Sequence, residues 1–299
     1  MVTICTPAKL SSVRWKPGVS SAIVGSGDYD GTVAEWDLEN KLAVNERYEH
    51  GGQRVYSLDY SSWWPFLAAS ASGDGTIRLW NFNTGRSVGV IKSPGGSSVC
   101  CANFCNASHN MVAMACADST VYVYDIRNLN SALVSLKHHS RAASYVRWSK
   151  TNKLVSASID SSLKLWDISQ LLMLEADIDR FSSSTEFAPE RTFSAHLNVK
   201  NFVGLSVTDD GGLLACGSEK NEVFVYNQMT SDPVFRLEFP VISGQSSSPT
   251  ATASAEARHG SFVGSVCWYN QGSQHSLLAG NSEGFVQLIH AVPQSISEP

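Results

Sequence analysis

Short apolar runs separated by polar turns fill most of this chain, and one arrangement keeps returning. In its second copy, Val55-Tyr56-Ser57-Leu58-Asp59-Tyr60 and Phe66-Leu67-Ala68-Ala69-Ser70-Ala71 predict two strands. Gly73-Asp74-Gly75 predicts a tight turn, and Thr76-Ile77-Arg78-Leu79-Trp80 alternates as a half-buried strand does. Ser87-Val88-Gly89-Val90-Ile91 predicts a fourth, outer strand. Leu10–Asp37, Val99–Arg127, Ala143–Ile168, Val203–Asn227 and Val263–Val292 each hold three strands of the same kind, which makes six units. Runs of Ala, Ser and Gly such as Leu154-Val155-Ser156-Ala157-Ser158 predict that neighbouring sheets approach closely.

Within the units an aspartate leads an aromatic by six residues: Asp30–Trp36, Asp74–Trp80, Asp118–Tyr124 and Asp160–Trp166. Lys220–Tyr226 and Glu283–Ile289 are weaker copies. A period of 40–45 residues ending in Trp-Asp-like dipeptides resembles the WD40 β-propeller. The predicted fold is therefore all-β, one propeller domain over residues 1–299 with six repeat units. The turn aspartates are expected to lock each unit by hydrogen bonds. Two insertions lengthen the later steps, at about 169–190 and 243–259. The first contains Leu171-Leu172-Met173-Leu174-Glu175, expected as a short helix. The second is rich in Ser, Thr and Ala, and both it and most of the first are expected to pack little. Val2-Thr3-Ile4-Cys5 reads as an outer strand without its own unit, available to the last unit, which lacks one.

Charged residues are only 16% of the chain, which suits a folded strand-rich body. The formal net charge of -5 argues against bulk attraction to nucleic acid or an anionic membrane. No apolar run approaches ~20 residues. The seven cysteines show no Cys-x-x-Cys spacing and fall mostly in strand runs, which predicts reduced, buried thiols in an intracellular protein. A zinc site at Cys100, Cys101 and Cys105 would lack a second ligand pair. Gly25-Ser26-Gly27-Asp28-Tyr29-Asp30-Gly31 fits neither a dinucleotide fingerprint nor a P-loop, and no Gly-x-Ser-x-Gly elbow occurs. His50, His139 and His196 each precede a new unit and read as structural. The expectation is a non-enzymatic protein with no metal or cofactor.

The loops before the first strands carry a sharper pattern. Counting back six residues from Trp15, Tyr60 and Trp148 reaches Lys9, Arg54 and Ala142, with Arg141 beside the last. Tyr29 lies in the other loop class expected on that face, and Tyr56 and Phe202 begin first strands. Cations ringed by aromatics suit a peptide with acidic and apolar parts. Ordinary solvated loop charges are the alternative reading.

Asn201-Phe202-Val203-Gly204-Leu205-Ser206-Val207, Ala215-Cys216-Gly217-Ser218-Glu219, Asn221-Glu222-Val223-Phe224-Val225-Tyr226 and Ser144-Tyr145-Val146-Arg147 resemble the C-terminal propeller of the plant COP/SPA family. That family comprises the constitutive photomorphogenic ubiquitin ligase and the suppressor-of-phytochrome-A proteins. Ser265-Val266-Cys267-Trp268 and Ala279-Gly280-Asn281-Ser282 fit it too. Ser87-Val88-Gly89-Val90-Ile91-Lys92, Ser162-Leu163-Lys164-Leu165-Trp166 and Asn198-Val199-Lys200-Asn201-Phe202 place it nearer the suppressor branch. The resemblance implies capture of Val-Pro peptides with nearby acids, carried by transcription factors and photoreceptors. Carried over by motif, the peptide site is Lys9, Tyr29, Arg54, Tyr56, Arg141 and Phe202. Tyr56 stands where the family usually has tryptophan, Arg141 where it often has lysine, and Val199 where the ligase branch is acidic. Val112 to Arg127, ending Tyr124-Asp125-Ile126-Arg127, resembles the box that contacts the cullin-ligase adaptor, with Arg127 its key residue.

The family normally has seven blades. Its first blade and upstream modules are absent here, so Met1 is expected to open a fragment or a truncated product. The implied function is a nuclear docking domain of an E3 ubiquitin ligase complex that represses light signalling. A general WD40 assembly scaffold and a nonfunctional fragment are the alternatives.

Overall fold

The computed structural model describes residues 3–18, 22–149, 151–173, 187–240, 260–271 and 274–291. Six antiparallel sheets account for most of them, with the strands of each sheet in sequence order. Five sheets have four strands, and the sheet of Val263–Gln271, Gln274–Asn281 and Val286–Ala291 has three. The all-β class and the six WD40-type units are as the sequence predicts.

The chain divides into two compact units, Met1–Thr192 and Phe193–Pro299. In the first unit, the sheets that begin at Leu10, Val55, Val99 and Ala143 lay their first strands side by side. The last strand of the fourth sheet, Arg191–Phe193, ends at the division. The second unit holds the sheets that begin at Leu205 and Val263.

Small residues in the second strands permit the close stacking of sheets. A Cβ on Gly25 would stand 2.3 Å from the Tyr60 hydroxyl and 2.7 Å from Leu58. In the second unit, a Cβ on Gly217 would lie 2.0 Å from the Val263 carbonyl. Large side chains fill the space that remains. Leu58, Ile77, Met111, Met114 and Trp166 are fully buried in the first unit, as are Val223 and Leu277 in the second. Each buried Leu or Met contributes about 1.5–3 kcal/mol relative to exposure.

The turn between the second and third strands uses the same backbone in all six sheets. The residue after the turn acid or its replacement has positive φ: Gly31, Gly75, Ser119, Ser161, Asn221 and Gly284. Two sheets of the first unit lock this turn with a histidine. His50 Nδ1 lies 2.8 Å from Asp74 and its Nε2 2.7 Å from Ser70 Oγ, which also accepts the Trp80 indole N–H at 2.7 Å. His139 repeats this with Asp160, Ser156 and Trp166, at 3.0, 2.7 and 2.9 Å.

Two local expectations are corrected. Thr3 to Cys5 are irregular, so the described part of Val2–Cys5 is not a strand; Val2 lies outside the described residues. The short helix begins at Ser169, two residues before the expected Leu171, and is described as far as Met173; Leu174 and Glu175 lie outside the described residues. The expectation that most of the first insertion packs little falls mainly outside the described residues, and its two described ends are anchored. Leu171 is 1% exposed, Phe187 packs on the core of its unit, and Glu190 pairs with Lys153 at 2.7 Å. Residues 174–186, and the second insertion at 243–259, lie outside the described residues.

Candidate peptide-docking site

Each first strand in the first unit is bulged at its second residue: Ser11, Tyr56, Cys100 and Ser144. A bulge re-aims the side chain it carries. Just before the strand, one backbone bond recurs. The carbonyls of Lys9, Arg54, Ser98 and Ala142 accept the N–H groups of Tyr29, Gly73, Ala117 and Ile159, at 2.9–3.1 Å. That bond ties the loop before each sheet to its central turn, so the two loop classes share one end of the sheets.

Three of the predicted residues converge there. Lys9 Nζ lies 5.3 Å from the centroid of the Tyr29 ring, and Arg54 Cζ lies 4.6 Å from it. Both cations are exposed, while Tyr29 is half-buried. Tyr56 continues the group from its bulge. Its ring rests against Gly73, where a Cβ would meet Tyr56 Cε2 at 3.5 Å. Gly73 is the repeat counterpart of Tyr29, and the missing side chain leaves room for the Tyr56 ring. The result is a ring with two cations over it and a second ring from the next repeat. Acid groups suit the cations, and an apolar side chain suits the rings.

The other predicted residues stand apart from this group. Arg141 belongs to the fourth sheet, beyond Ser98 and Ala117 of the third. It is exposed, and its Nη1 donates to the Ile159 carbonyl at 3.1 Å. Phe202 lies in the second unit and is 38% exposed. Counted by strand register, it holds the place in its repeat that Val55 holds in the second. Arg127 folds onto its own turn: Nη2 donates to Asp125 Oδ2 at 2.6 Å and Nε to Oδ1 at 3.0 Å, with Asp125 buried. Its guanidinium is still half exposed.

Two features were not anticipated from the sequence. A polar line crosses the fifth residues of the first strands. Arg14 Nε lies 3.9 Å from Asp59, whose Oδ2 accepts the Asn103 amide at 2.8 Å and the Phe104 N–H at 2.9 Å. Asn103 Oδ1 in turn accepts the Trp148 N–H at 2.8 Å. Burial pushes the Asp59 carboxyl above its usual range, against the pull of Arg14. The available signal was a polar residue just before each sixth-position aromatic. In the second unit, Glu219 Oε1 accepts the N–H groups of Val199, Lys200 and Asn201 at 2.9, 2.5 and 2.7 Å. That carboxylate orders the loop leading into Phe202.

Among the described residues, no group of three His, Cys, Asp or Glu could hold a metal ion. Cys100, Cys101, Cys105, Cys116 and Cys216 are buried as expected, and burial pushes the Cys100 thiol up to about 12, whereas Cys5 and the strand residue Cys267 are exposed.

The family model described as "WD domain, G-beta repeat" matches residues 43–81 and 130–167. These segments run to the third strands of the second and fourth sheets and contain His50 and His139. Blades, turns and matched repeats together define a WD40-repeat protein. Three proteins of Arabidopsis thaliana are similar over nearly the whole chain. WD repeat-containing protein RUP2 is 41% identical, over 95% of this chain and 72% of its own length. Protein SPA1-RELATED 4 is 39% identical, over 98% of this chain and 34% of its own length. E3 ubiquitin-protein ligase COP1 is 33% identical, over 97% of this chain and 38% of its own length. The chain belongs to the plant COP/SPA family of WD40 domains.

Proposed function

We propose that this chain is a non-enzymatic docking domain that recruits Val-Pro-motif regulators to a nuclear, cullin-type E3 ubiquitin ligase complex repressing light signalling. The observation that carries this reading is the placing of Lys9 and Arg54 over the Tyr29 ring, with Tyr56 beside them. Proline presets part of a ligand's backbone, which lowers the ordering cost of binding. The cations steer an acidic flank, and the rings supply the buried contact. The kinship with COP1, an E3 ubiquitin-protein ligase by name, and with a SPA1-related protein supports the ligase setting. Arg127 is the proposed adaptor contact.

The test is a titration of the purified chain with a panel of Val-Pro peptides with acidic flanks. Saturable binding that falls with salt, and that is lost when Val-Pro becomes Ala-Ala, supports the reading. Absence of binding by every peptide to a folded chain rejects it and leaves a general assembly scaffold.

A further inference from the structure

The first sheet repeats three parts of the histidine lock and lacks the fourth. Trp36 Nε1 donates to Ser26 Oγ at 2.8 Å, as Trp80 does to Ser70 and Trp166 to Ser156. Asp30 stands at the turn, as Asp74 and Asp160 do. His50 lies five residues before its first strand and His139 four, and the residues at those places in the first sheet are Cys5 and Thr6. Thr6 Oγ1 donates to the Ala8 carbonyl at 2.9 Å. Here a cavity of about 160 Å³ opens, bordered by Thr6, Ser26, Asp28, Asp30 and Trp36. A cavity of ~150 Å³ is enough for benzene, and an imidazole ring is smaller.

The bonding around this cavity differs from that of the filled slots in one respect. Asp74 and Asp160 each use one oxygen on the turn, accepting the N–H and hydroxyl of Thr76 or Ser162. In the first sheet Asp28 takes over the turn, and its Oδ1 accepts the N–H groups of Asp30 at 3.0 Å and Thr32 at 2.7 Å. Among the described residues, no side-chain bond engages the Asp30 carboxylate. Ser26 is 3% exposed and accepts the indole N–H, which leaves its own hydroxyl proton over. The filled slots have Ser72 and Ser158 at the place of Asp28, so the open one carries an extra carboxylate.

We propose that this cavity is a binding site for an imidazole group, a histidine side chain of a partner segment. One ring nitrogen would sit on the Asp30 carboxylate and the other on the Ser26 hydroxyl, as His50 and His139 sit in their own sheets. The site is separate from the peptide group at Tyr29 and does not depend on it.

The test is thermal denaturation of the purified chain with free imidazole as the probe and 1-methylimidazole as the control. Imidazole should raise Tm saturably, and the methylated ring, which loses one of the two ring hydrogen bonds, should raise it much less. Asp30→Asn removes a charge from an exposed, unbonded side chain, so the fold should persist while the imidazole shift is lost. Thr6→His supplies the ring in cis, and should raise Tm by itself and abolish most of the imidazole response. No saturable shift, an equal shift from 1-methylimidazole, or an undiminished shift in folded Asp30→Asn or Thr6→His would overturn the assignment.

Discussion

The guanidinium carbon of Arg54 lies 4.6 Å from the centre of the Tyr29 ring, so a loop of the second repeat closes over a turn of the first. Lys9 approaches the same ring at 5.3 Å. Tyr29 is therefore held by two cations before any ligand arrives, and a rigid aromatic anchor loses little freedom on binding. Tyr29→Ala should weaken a Val-Pro peptide by ~2 kcal/mol or more. Arg54→Ala should cost less and should flatten the salt dependence of binding. Tyr56→Trp should keep or strengthen affinity. Calorimetric titration at two ionic strengths checks all three. Unchanged affinity in both Tyr29→Ala and Arg141→Ala would remove the site.

In the second unit, three backbone N–H groups on Glu219 hold the loop before Phe202. Burial works against the Glu219 charge, but those donors outweigh it and hold the carboxyl below its usual 4.5. A folded-state pKa below the unfolded one means the stabilisation is present above about pH 4.5 and fades as pH drops further. Glu219→Gln should speed amide exchange at Val199, Lys200 and Asn201 near neutral pH. Exchange unchanged from the parent chain would show that the loop is ordered by other contacts.

Arg127 pairs with a buried carboxylate, so its replacement affects stability as well as any surface contact. Arg127→Ala should weaken association with the cullin-ligase adaptor and also lower Tm, because Asp125 loses its charged partner. Asp125→Asn separates the two effects: it loosens the turn but keeps the cation. Adaptor retained by Arg127→Ala in a pull-down at full strength would reject the contact.

The repeat was legible because its period is written in residues that cannot be moved. The turn acids, the tight turns and the buried aromatics recur at fixed spacing, and each is required by the same turn and core position. Lys9, Tyr29, Arg54 and Tyr56 were legible for the same reason, since loop positions can be counted from Trp15 and Tyr60. The bulge at Tyr56 was not, because an extra residue leaves the apolar pattern of Val55–Tyr60 unchanged. Nor was the role of Glu219. It occupies the place of Tyr29 in its repeat, and only the folded loop shows it collecting backbone donors. The irregular path of Thr3–Cys5 was missed because a four-residue apolar run has no periodicity to test.

The His139–Asp160 pair predicts an acid limb of stability. Burial raises the Asp160 carboxyl, but hydrogen bonds from His139 and Ser162 and the histidine charge outweigh it, and the pKa falls below the ordinary 3.8. The contribution is thus whole above about pH 3.8 and is lost as pH drops through the folded-state value. Asp160→Asn should lower Tm near neutrality and make the loss of Tm below pH 3.8 shallower than in the parent chain. Parallel curves for the two proteins would show that the pair contributes nothing to acid unfolding.

The shared turn geometry gives a paired prediction with opposite signs. Ser119 and Gly75 hold the same place in their repeats, with φ of 72° and 79°. A left-handed backbone costs an L-residue ~1–2 kcal/mol, while glycine loses ~0.5–1 kcal/mol more than alanine in folding entropy. Ser119→Gly should therefore stabilise the chain by up to about 1 kcal/mol, or a few degrees in Tm. Gly75→Ser should do the reverse and more. Its Cβ would add the left-handed strain and also stand 2.8 Å from the Gly96 carbonyl oxygen, a backbone atom that cannot rotate away. Thermal denaturation of the two variants reads both signs at once. A destabilised Ser119→Gly would mean that the serine side chain supports its turn, and the shared-backbone argument would fail there.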